Sequence, residues 1–160
     1  MRDELQRNID ALEAFKQAFR TRRLARYSFS TGPVDLTMTL AGVRISTRLD
    51  CRLIETQEDE TAVGGGVVLF VANADASRKL IEERSKIVAA MVHWNLQHVG
   101  GNIEPVERLC LSFDIFGSAV TKAPKAIERL RANVESSCRE AASAWAAVAP
   151  PPSYDGPNWD

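Results

Sequence analysis

An uninterrupted alternation over residues 43–53 constrains the fold of this chain more than any other feature of its sequence. Apolar side chains or threonine fill the odd positions and polar side chains fill the even ones: Val43, Ile45, Thr47, Leu49, Cys51 and Leu53, with Arg44, Ser46, Arg48, Asp50 and Arg52 between them. Successive side chains of a strand point to opposite sides of a sheet. The alternation therefore predicts a long strand and places the five polar residues in one row on a single sheet face.

Two further strands flank the long one along the chain. Residues 34–40 also alternate between apolar and polar side chains, and Ala41-Gly42 forms a short turn into the long strand. Residues 55–66 are acidic and then rich in glycine, which is typical of a surface loop. The segment Val67–Ala72 is apolar at every position, which predicts a strand buried on both faces.

Helical spacing predicts three helices. The first runs from about residue 3 to residue 26, the second begins near Asp75 and ends at Gly100, and the last begins near Pro124 and stops at Pro150. The first and last helices are predicted to bury apolar stripes formed by Leu5, Ile9, Leu12, Phe15 and Phe19, and by Ile127, Leu130, Val134, Cys138, Ala141, Trp145 and Val148.

A fourth strand is predicted over Leu109–Ile115, with a short return strand at Val120. The predicted order is therefore αβββαβ(β)α, an α/β fold with a central mixed sheet of about four to five strands and flanking helices. A chain of 160 residues supports one well-buried core. We expect a single domain over residues 1–149 and a flexible, proline-rich tail over residues 150–160.

Two stretches carry a resemblance to a known family: Val43-Arg-Ile-Ser-Thr-Arg-Leu-Asp-Cys-Arg-Leu-Ile and Gly66-Val-Val-Leu-Phe-Val-Ala-Asn. In these stretches and in its predicted order of elements, the chain resembles the PD-(D/E)XK nuclease superfamily, and within it the RecB-like branch. The likeness extends over about Val34 to Trp145. The resemblance implies a restriction-endonuclease-like fold, in which two carboxylates hold Mg²⁺ and a lysine helps to position the attacking water.

The residues of this chain depart from the family's metal site. By resemblance, Asp50 corresponds to the family's aspartate, with Leu49 in place of the usual proline. The second acid and the lysine should fall within Val67–Ala72, where every side chain is apolar, whereas Mg²⁺ requires several oxygen ligands. Arg48 and Arg52 stand two residues on either side of Asp50 and favour an ion pair over a dication. We therefore expect a degenerate nuclease domain with no catalytic residues, no metal and no cofactor.

Two groups of arginines are candidates for binding nucleic acid or another anion. Arg20, Arg22, Arg23 and Arg26 crowd the end of the first helix, and Arg44, Arg48 and Arg52 lie on the long strand. The alternative is that the first group complements the helix dipole and the second group pairs within the fold. The net charge of -1 excludes a global basic field. We expect a partner, nucleic acid or protein, on the arginine-bearing face.

Two alternative functions remain open. In the first, the chain is an active Mg²⁺-dependent nuclease whose ligands have moved onto the second helix, with Asp75, Lys79, Glu82, Glu83 and Lys86 as candidates beside Asp50. In the second, the chain is similar to small secretion chaperones, which run helix, three strands, helix, two strands, helix. The helix that contains Asn95 and the apolar strands would then form a dimer or a groove for a client chain.

Cysteine spacing and hydropathy bear on the location of the protein. Cys51, Cys110 and Cys138 are odd in number and contain no C-x-x-C pair, which favours buried thiols in a reducing compartment. No apolar run approaches the roughly 18 residues that span a bilayer, and the first residues begin an amphipathic pattern. We expect a soluble, cytoplasmic protein without a membrane partner and leave its oligomeric state open.

Overall fold

The computed structural model describes residues 2–21, 24–58, 60–70, 76–115, 117, 119–145 and 147–149. Its elements are α1 (Arg2–Thr21), a short 3-10 helix (Leu24–Arg26), β1 (Ser28–Leu40), β2 (Val43–Thr56), β3 (Ala62–Phe70), α2 (Arg78–Val99), β4 (Glu104–Asp114), β5 (Ala119–Lys122) and α3 (Glu128–Trp145). This order confirms the predicted αβββαβ(β)α arrangement, with the short return strand present as β5. The proline-rich tail predicted at residues 150–160 lies outside the described residues.

The five strands form one mixed sheet in the order β1-β2-β3-β4-β5. Neighbouring strands are antiparallel except β3 and β4, which are parallel and are connected through α2. The β1–β2 hairpin turns at Ala41 and Gly42, both with positive φ, which matches the right-handed twist of the two strands. The predicted mixed sheet is therefore confirmed.

The strand β3 begins earlier than predicted. It starts at Ala62, so that the glycines expected in a surface loop belong to the sheet. A Cβ added at Gly65 would lie 2.1 Å from the carbonyl oxygen of Leu109 on β4. The glycine therefore permits a close approach of two strand backbones, which composition alone does not reveal.

Each face of the sheet carries its own apolar cluster. On one face, α1 packs through Phe15 and Phe19, and the Phe15 ring meets Phe113 of β4 edge-on at 5.5 Å. On the other face, α2 contacts all five strands, so that the sheet curls around this helix. The α2 cluster consists of Leu36, Leu49, Ala89, Val92, Cys110 and Ala123. The helix α3 contacts β1 and β2, and its Arg131 guanidinium lies 5.2 Å from the centre of the Trp94 ring on α2.

The buried stripes predicted for the first and last helices are only partly correct. In α1, Phe15 and Phe19 pack on the core, whereas Leu12 is 68% exposed. In α3, Cys138 is buried, whereas Trp145 is 54% exposed. The exposed Leu12 precedes Phe15 and Phe19 along α1, so the helix packs on the core through the residues that follow Leu12. The remaining members of both stripes divide in the same way: Ile127 is buried, Leu130 and Val134 are half-buried, and Ile9, Ala141 and Val148 are exposed.

Within the described part of the chain, no helix has the length and apolar character needed to cross a lipid bilayer.

Candidate functional site

The two halves of β2 have different neighbours. The inner half, Cys51–Thr56, pairs with β3 along its whole length and with β1 from Cys51 to Ile54. The outer half, Val43–Asp50, pairs with β1 on one edge, and no described residue pairs with its other edge. The sheet therefore opens into a fork, with the outer half on one side and the end of β3 on the other.

A β-bulge lies at the junction of the two halves. Between Thr31 and Val34, β1 takes three residue steps while β2 takes two, from Cys51 to Leu49, which leaves Asp50 at the irregularity. As a result, Leu49 belongs to the α2 cluster, whereas Cys51 belongs to the α1 cluster on the opposite face. The alternation in the sequence runs straight through this change of face.

The predicted single row of polar residues is therefore wrong at Arg52. Arg52 pairs with Gly66 and lines a cleft of about 190 Å³ together with Leu96 and Ile103, on the side of α2. Its Nε atom is buried without a hydrogen-bond partner among the described residues. The polar residues of the outer half instead lie on the opposite face and are exposed: Arg44, Ser46 and Arg48.

The carboxylate of Asp50 accepts a hydrogen bond from the backbone N–H of Leu69, at 2.7 Å. This N–H lies near the end of β3, beyond the last residue that pairs with β2. A backbone donor at an open strand edge requires a partner. Asp50 therefore closes the inner end of the fork by holding β3 to β2.

The surroundings of Asp50 do not fit a Mg²⁺ site. The side chains that share its cleft from β3 and α2 are apolar: Val68, Leu69, Ile87, Val88 and Met91. Mg²⁺ requires oxygen ligands, and the described residues contain no group of three or more His, Cys, Asp or Glu side chains that could hold a metal. These neighbours offer Asp50 no second carboxylate.

The candidates for displaced metal ligands lie on α2. Lys79, Glu82, Glu83 and Lys86 are exposed, and none of them lines the cleft at Asp50. Lys86 pairs with Glu82 at 2.8 Å, one helical turn apart. Asp75 lies outside the described residues.

The space between the two sides of the fork is an apolar cleft of about 440 Å³, which we call the fork cleft. Its lining comes from the outer half of β2, the end of β3 and α2. The side chains from β3 and α2 are apolar, whereas β2 contributes polar and charged residues as well. The lining residues are Ile45, Ser46, Thr47, Arg48, Asp50, Val68, Leu69, Ile87, Val88 and Met91. Ile87 is 40% exposed. An apolar concavity of this volume beside an open strand edge is suited to apolar side chains of a partner.

A buried asparagine fixes the position of α2 relative to the outer half. Asn95 is fully buried, and its Nδ2 atom donates to Thr47 Oγ1 at 2.9 Å and to the Met91 carbonyl at 3.1 Å. Because Thr47 and Met91 both line the fork cleft, this bond holds the two walls of the cleft together. The sequence places Asn95 on a helix but does not show that it reaches β2, since the contact joins residues 48 positions apart.

A second buried polar side chain on the same helix, His93, is 3% exposed. Its Nε2 lies 3.2 Å from the carbonyl oxygen of Pro105, and because a carbonyl oxygen only accepts, Nε2 carries the donated hydrogen. Burial lowers the pKa of His93 from its ordinary value. The exposed His98 lies elsewhere on the helix, so the two histidines do not form one site.

The structure separates the predicted arginines. Arg26 stacks on the Tyr27 ring, 4.8 Å from its centre, next to the pairing of Ser28 with Ile54. Ile54 lies six residues from Arg48 along β2, or about 20 Å, which exceeds the Debye length of about 8 Å. Arg20 is exposed at the end of α1, and Arg22 and Arg23 lie outside the described residues. Among the described members of the predicted set, Arg44 and Arg48 share one exposed face of β2, and Arg48 also lines the fork cleft.

Comparisons with protein-family models, with curated proteins and with solved structures found no match to this chain. Its function must therefore be argued from the fork cleft and the strand edge beside it.

Proposed function

We propose that this chain is a non-catalytic binding domain that holds a segment of a partner protein in the fork cleft. The observation that carries the proposal is the position of a cleft with apolar walls directly beside the edge of the outer half of β2 that no described residue pairs with. Apolar side chains of a partner gain from burial in such a cleft, and its backbone finds donors and acceptors on the open edge.

The lining of the cleft favours a protein partner over nucleic acid. A nucleic-acid surface concentrates cations along the phosphate backbone. Here the cleft side chains from α2 are Ile87, Val88 and Met91. Among the residues that line the cleft, Arg48 is the single cation, and Arg20, Arg26 and Arg52 lie on other parts of the described structure. The net charge of -1 adds no long-range attraction for a polyanion.

The contacts of Asp50 favour binding over hydrolysis. Its carboxylate accepts the Leu69 N–H, and the neighbouring side chains of β3 and α2 are apolar. A secretion-chaperone-like role, with an extended client chain as the partner, belongs to the same class of function. The order helix, three strands, helix, two strands, helix is also the order of that class.

Two matched substitutions on α2 test the proposal. Ile87 and Leu80 are 40% and 39% exposed, and Ile87 lines the fork cleft while Leu80 does not. Peptides are first selected on the protein from a displayed library of random dodecapeptides. Ile87→Glu should weaken the selected peptides about tenfold to a hundredfold, since one apolar contact is worth about 1.5–3 kcal/mol. Leu80→Glu should leave their affinity unchanged.

Labelled DNA and RNA, single- and double-stranded, are measured in parallel with and without Mg²⁺. Equal losses of peptide affinity in Ile87→Glu and Leu80→Glu would show that the fork cleft is not the binding site. Tight nucleic-acid binding that disappears in Arg44→Gln/Arg48→Gln would assign the site to nucleic acid instead. Cleavage that requires Asp50 and Mg²⁺ would establish the nuclease alternative.

A further inference from the structure

We infer that the partner segment binds as an extended strand paired with the outer half of β2, with acidic residues facing Arg44 and Arg48 and apolar residues facing the fork cleft. The inference rests on the proposed function and adds the conformation and the sequence pattern of the bound segment. Three features of the outer half carry it, namely its open edge, its two-faced alternation and its unpaired arginines.

The open edge is long enough to accept a strand. The pairing of β2 with β3 stops at Cys51 and Val67, which leaves Val43–Asp50 without a neighbour among the described residues. This edge is eight residues long, or about 26 Å, whereas a strand in a globular protein usually has about five to six residues. Asp50 already takes the N–H of Leu69, so an added strand reaches inward no further than Leu49.

The alternation of the outer half determines which side chains an added strand needs. Residues directly opposite each other on paired strands point to the same face, with Cβ atoms about 4.5–5.5 Å apart. Residues of the added strand opposite Ile45 and Thr47 therefore face α2 across the fork cleft, toward Ile87 and Met91. Apolar side chains at these two positions extend the cluster that already lines the cleft.

The residues opposite Arg44, Ser46 and Arg48 face the exposed side. Both arginines are exposed, and neither forms an ion pair within 4.0 Å of a described carboxylate, although Asp35 of β1 is the cross-strand neighbour of Arg48. Acidic residues opposite them gain cross-strand charge pairs, and a small polar residue fits opposite Ser46. The sequence pattern inferred for the bound segment is therefore acidic, apolar, small polar, apolar, acidic.

The same charges argue against a second copy of this chain in the register that is centred on Ser46. Two outer halves that pair antiparallel about Ser46 would place Arg44 of each copy opposite Arg48 of the other. Like charges directly opposite each other on a sheet are destabilising. The charge complementarity of the edge selects an acidic strand instead.

The test uses the full chain and a labelled nonapeptide, Thr-Val-Glu-Val-Ser-Val-Glu-Val-Thr, whose pattern reads the same in both directions. A matched nonapeptide carries lysine in place of both glutamates. The glutamate peptide should bind, and the lysine peptide should bind about tenfold more weakly, because two attractive pairs become repulsive.

Arg44→Glu/Arg48→Glu should reverse this preference, while Arg84→Glu, an exposed change on α2, should leave it unchanged. Circular dichroism verifies that each variant is folded, and Arg44→Gln/Arg48→Gln, which should abolish the preference, replaces the charge reversal if that variant unfolds.

Backbone methylation distinguishes strand pairing from side-chain binding alone. Neighbouring residues of a strand direct their N–H groups to opposite edges. Of two glutamate peptides, one N-methylated on alternate residues and the other on the complementary set, one should lose affinity more than about tenfold and the other should not.

Equal affinities of the glutamate and lysine peptides, or equal effects of the two methylation patterns, would overturn the inference. If library-selected peptides still depended on Ile87 in that case, the proposed function would survive without the strand mode. If the protein is a dimer at every concentration measured and does not bind the peptide, a second copy occupies the edge, and the inference is overturned as well. Failure of the Ile87→Glu and Leu80→Glu comparison would remove the proposed function itself.

Discussion

The two halves of β2 share one alternating sequence and differ in what surrounds them. The inner half is paired with β1 and β3, with Leu53 fully buried. Among the described residues, the outer half is paired with β1 alone, and it borders the fork cleft. The difference teaches that alternation specifies a strand but not its second neighbour. That neighbour is determined by β3, which pairs with the inner half and ends at Phe70.

The largest effect is expected at the glycine that supports the inner half. A Cβ at Gly65 would approach the Leu109 carbonyl oxygen to 2.1 Å, and backbone atoms cannot yield as a flexible side chain can. We expect Gly65→Ala to lower the free energy of unfolding by about 3 kcal/mol or more. Gly42→Ala, at the tip of the outer hairpin with φ of 83° and open space around it, should cost only about 1 kcal/mol. Urea unfolding of both variants measures the contrast, and equal losses would contradict it.

The next largest effect is expected for Asn95, whose removal should destabilise the outer half of β2 more than the inner half. Asn95→Ala removes the fully buried amide that bonds Thr47, and we expect a loss of about 1–3 kcal/mol. Amide hydrogen exchange should accelerate in Val43–Leu49 more than in Cys51–Thr56. Thr47→Val, which removes only the hydroxyl, should produce a smaller change in the same direction. Uniform acceleration along β2 would show that the two halves open together.

The pH dependence of stability tests the contact between α2 and β4 near the inner half. Because burial lowers the pKa of His93, the folded protein keeps it neutral where the unfolded chain binds a proton. The contribution of His93 to the free energy of unfolding is therefore fully present above about pH 6.5 and is lost as the pH decreases below that value. Each unit by which burial lowers the pKa corresponds to about 1.4 kcal/mol of this contribution. His93→Gln should remove this component of the pH dependence of the melting temperature below about pH 6.5. The same change at the exposed His98 should retain it, and a loss in both variants would rule out His93 as its source.

The smallest effect is expected at the junction of the two halves. Asp50→Ala removes the acceptor for the Leu69 N–H, and because the site is exposed we expect a loss of about 0.5–1.5 kcal/mol. Asp35→Ala, an exposed acid on β1 opposite Arg48, should change stability by less than about 0.5 kcal/mol. Thermal melts of the two variants give the comparison. A larger loss at Asp35 than at Asp50 would mean that the carboxylate does not hold the fork.

Much of the fold could be predicted from local patterns. The spacing of Phe15 and Phe19 and the alternation from Val43 to Leu53 specify a helix and a strand, and the order of elements follows from such segments. The start of β3 could not be predicted, because Gly65 is accommodated by its close approach to Leu109, a contact between distant residues. The exposed end of α1 was also missed, since periodicity shows which face is apolar but not where the sheet beneath it ends.

The candidate site was less accessible to sequence reasoning. The sequence marked Asp50 only as the counterpart of a family aspartate, and it gave no sign of the hydrogen bond that Asp50 accepts from the Leu69 N–H. The bulge beside it shifts the register in β1, so the sequence of β2 gives no sign that Leu49 and Cys51 face opposite sides. Arg52 was therefore grouped with Arg48 although the two lie on different faces.

Residue-resolved amide exchange of the chain with and without the glutamate nonapeptide tests the central claim most directly. The account predicts that alternate amides within Val43–Leu49, those facing the open edge, gain protection on binding, while the amides of Cys51–Thr56 stay unchanged. Ile87→Glu should abolish the gain and Leu80→Glu should not. Saturating peptide that protects no amide of the outer half, or that protects the hairpin tip and the inner half alike, would contradict strand binding at the fork.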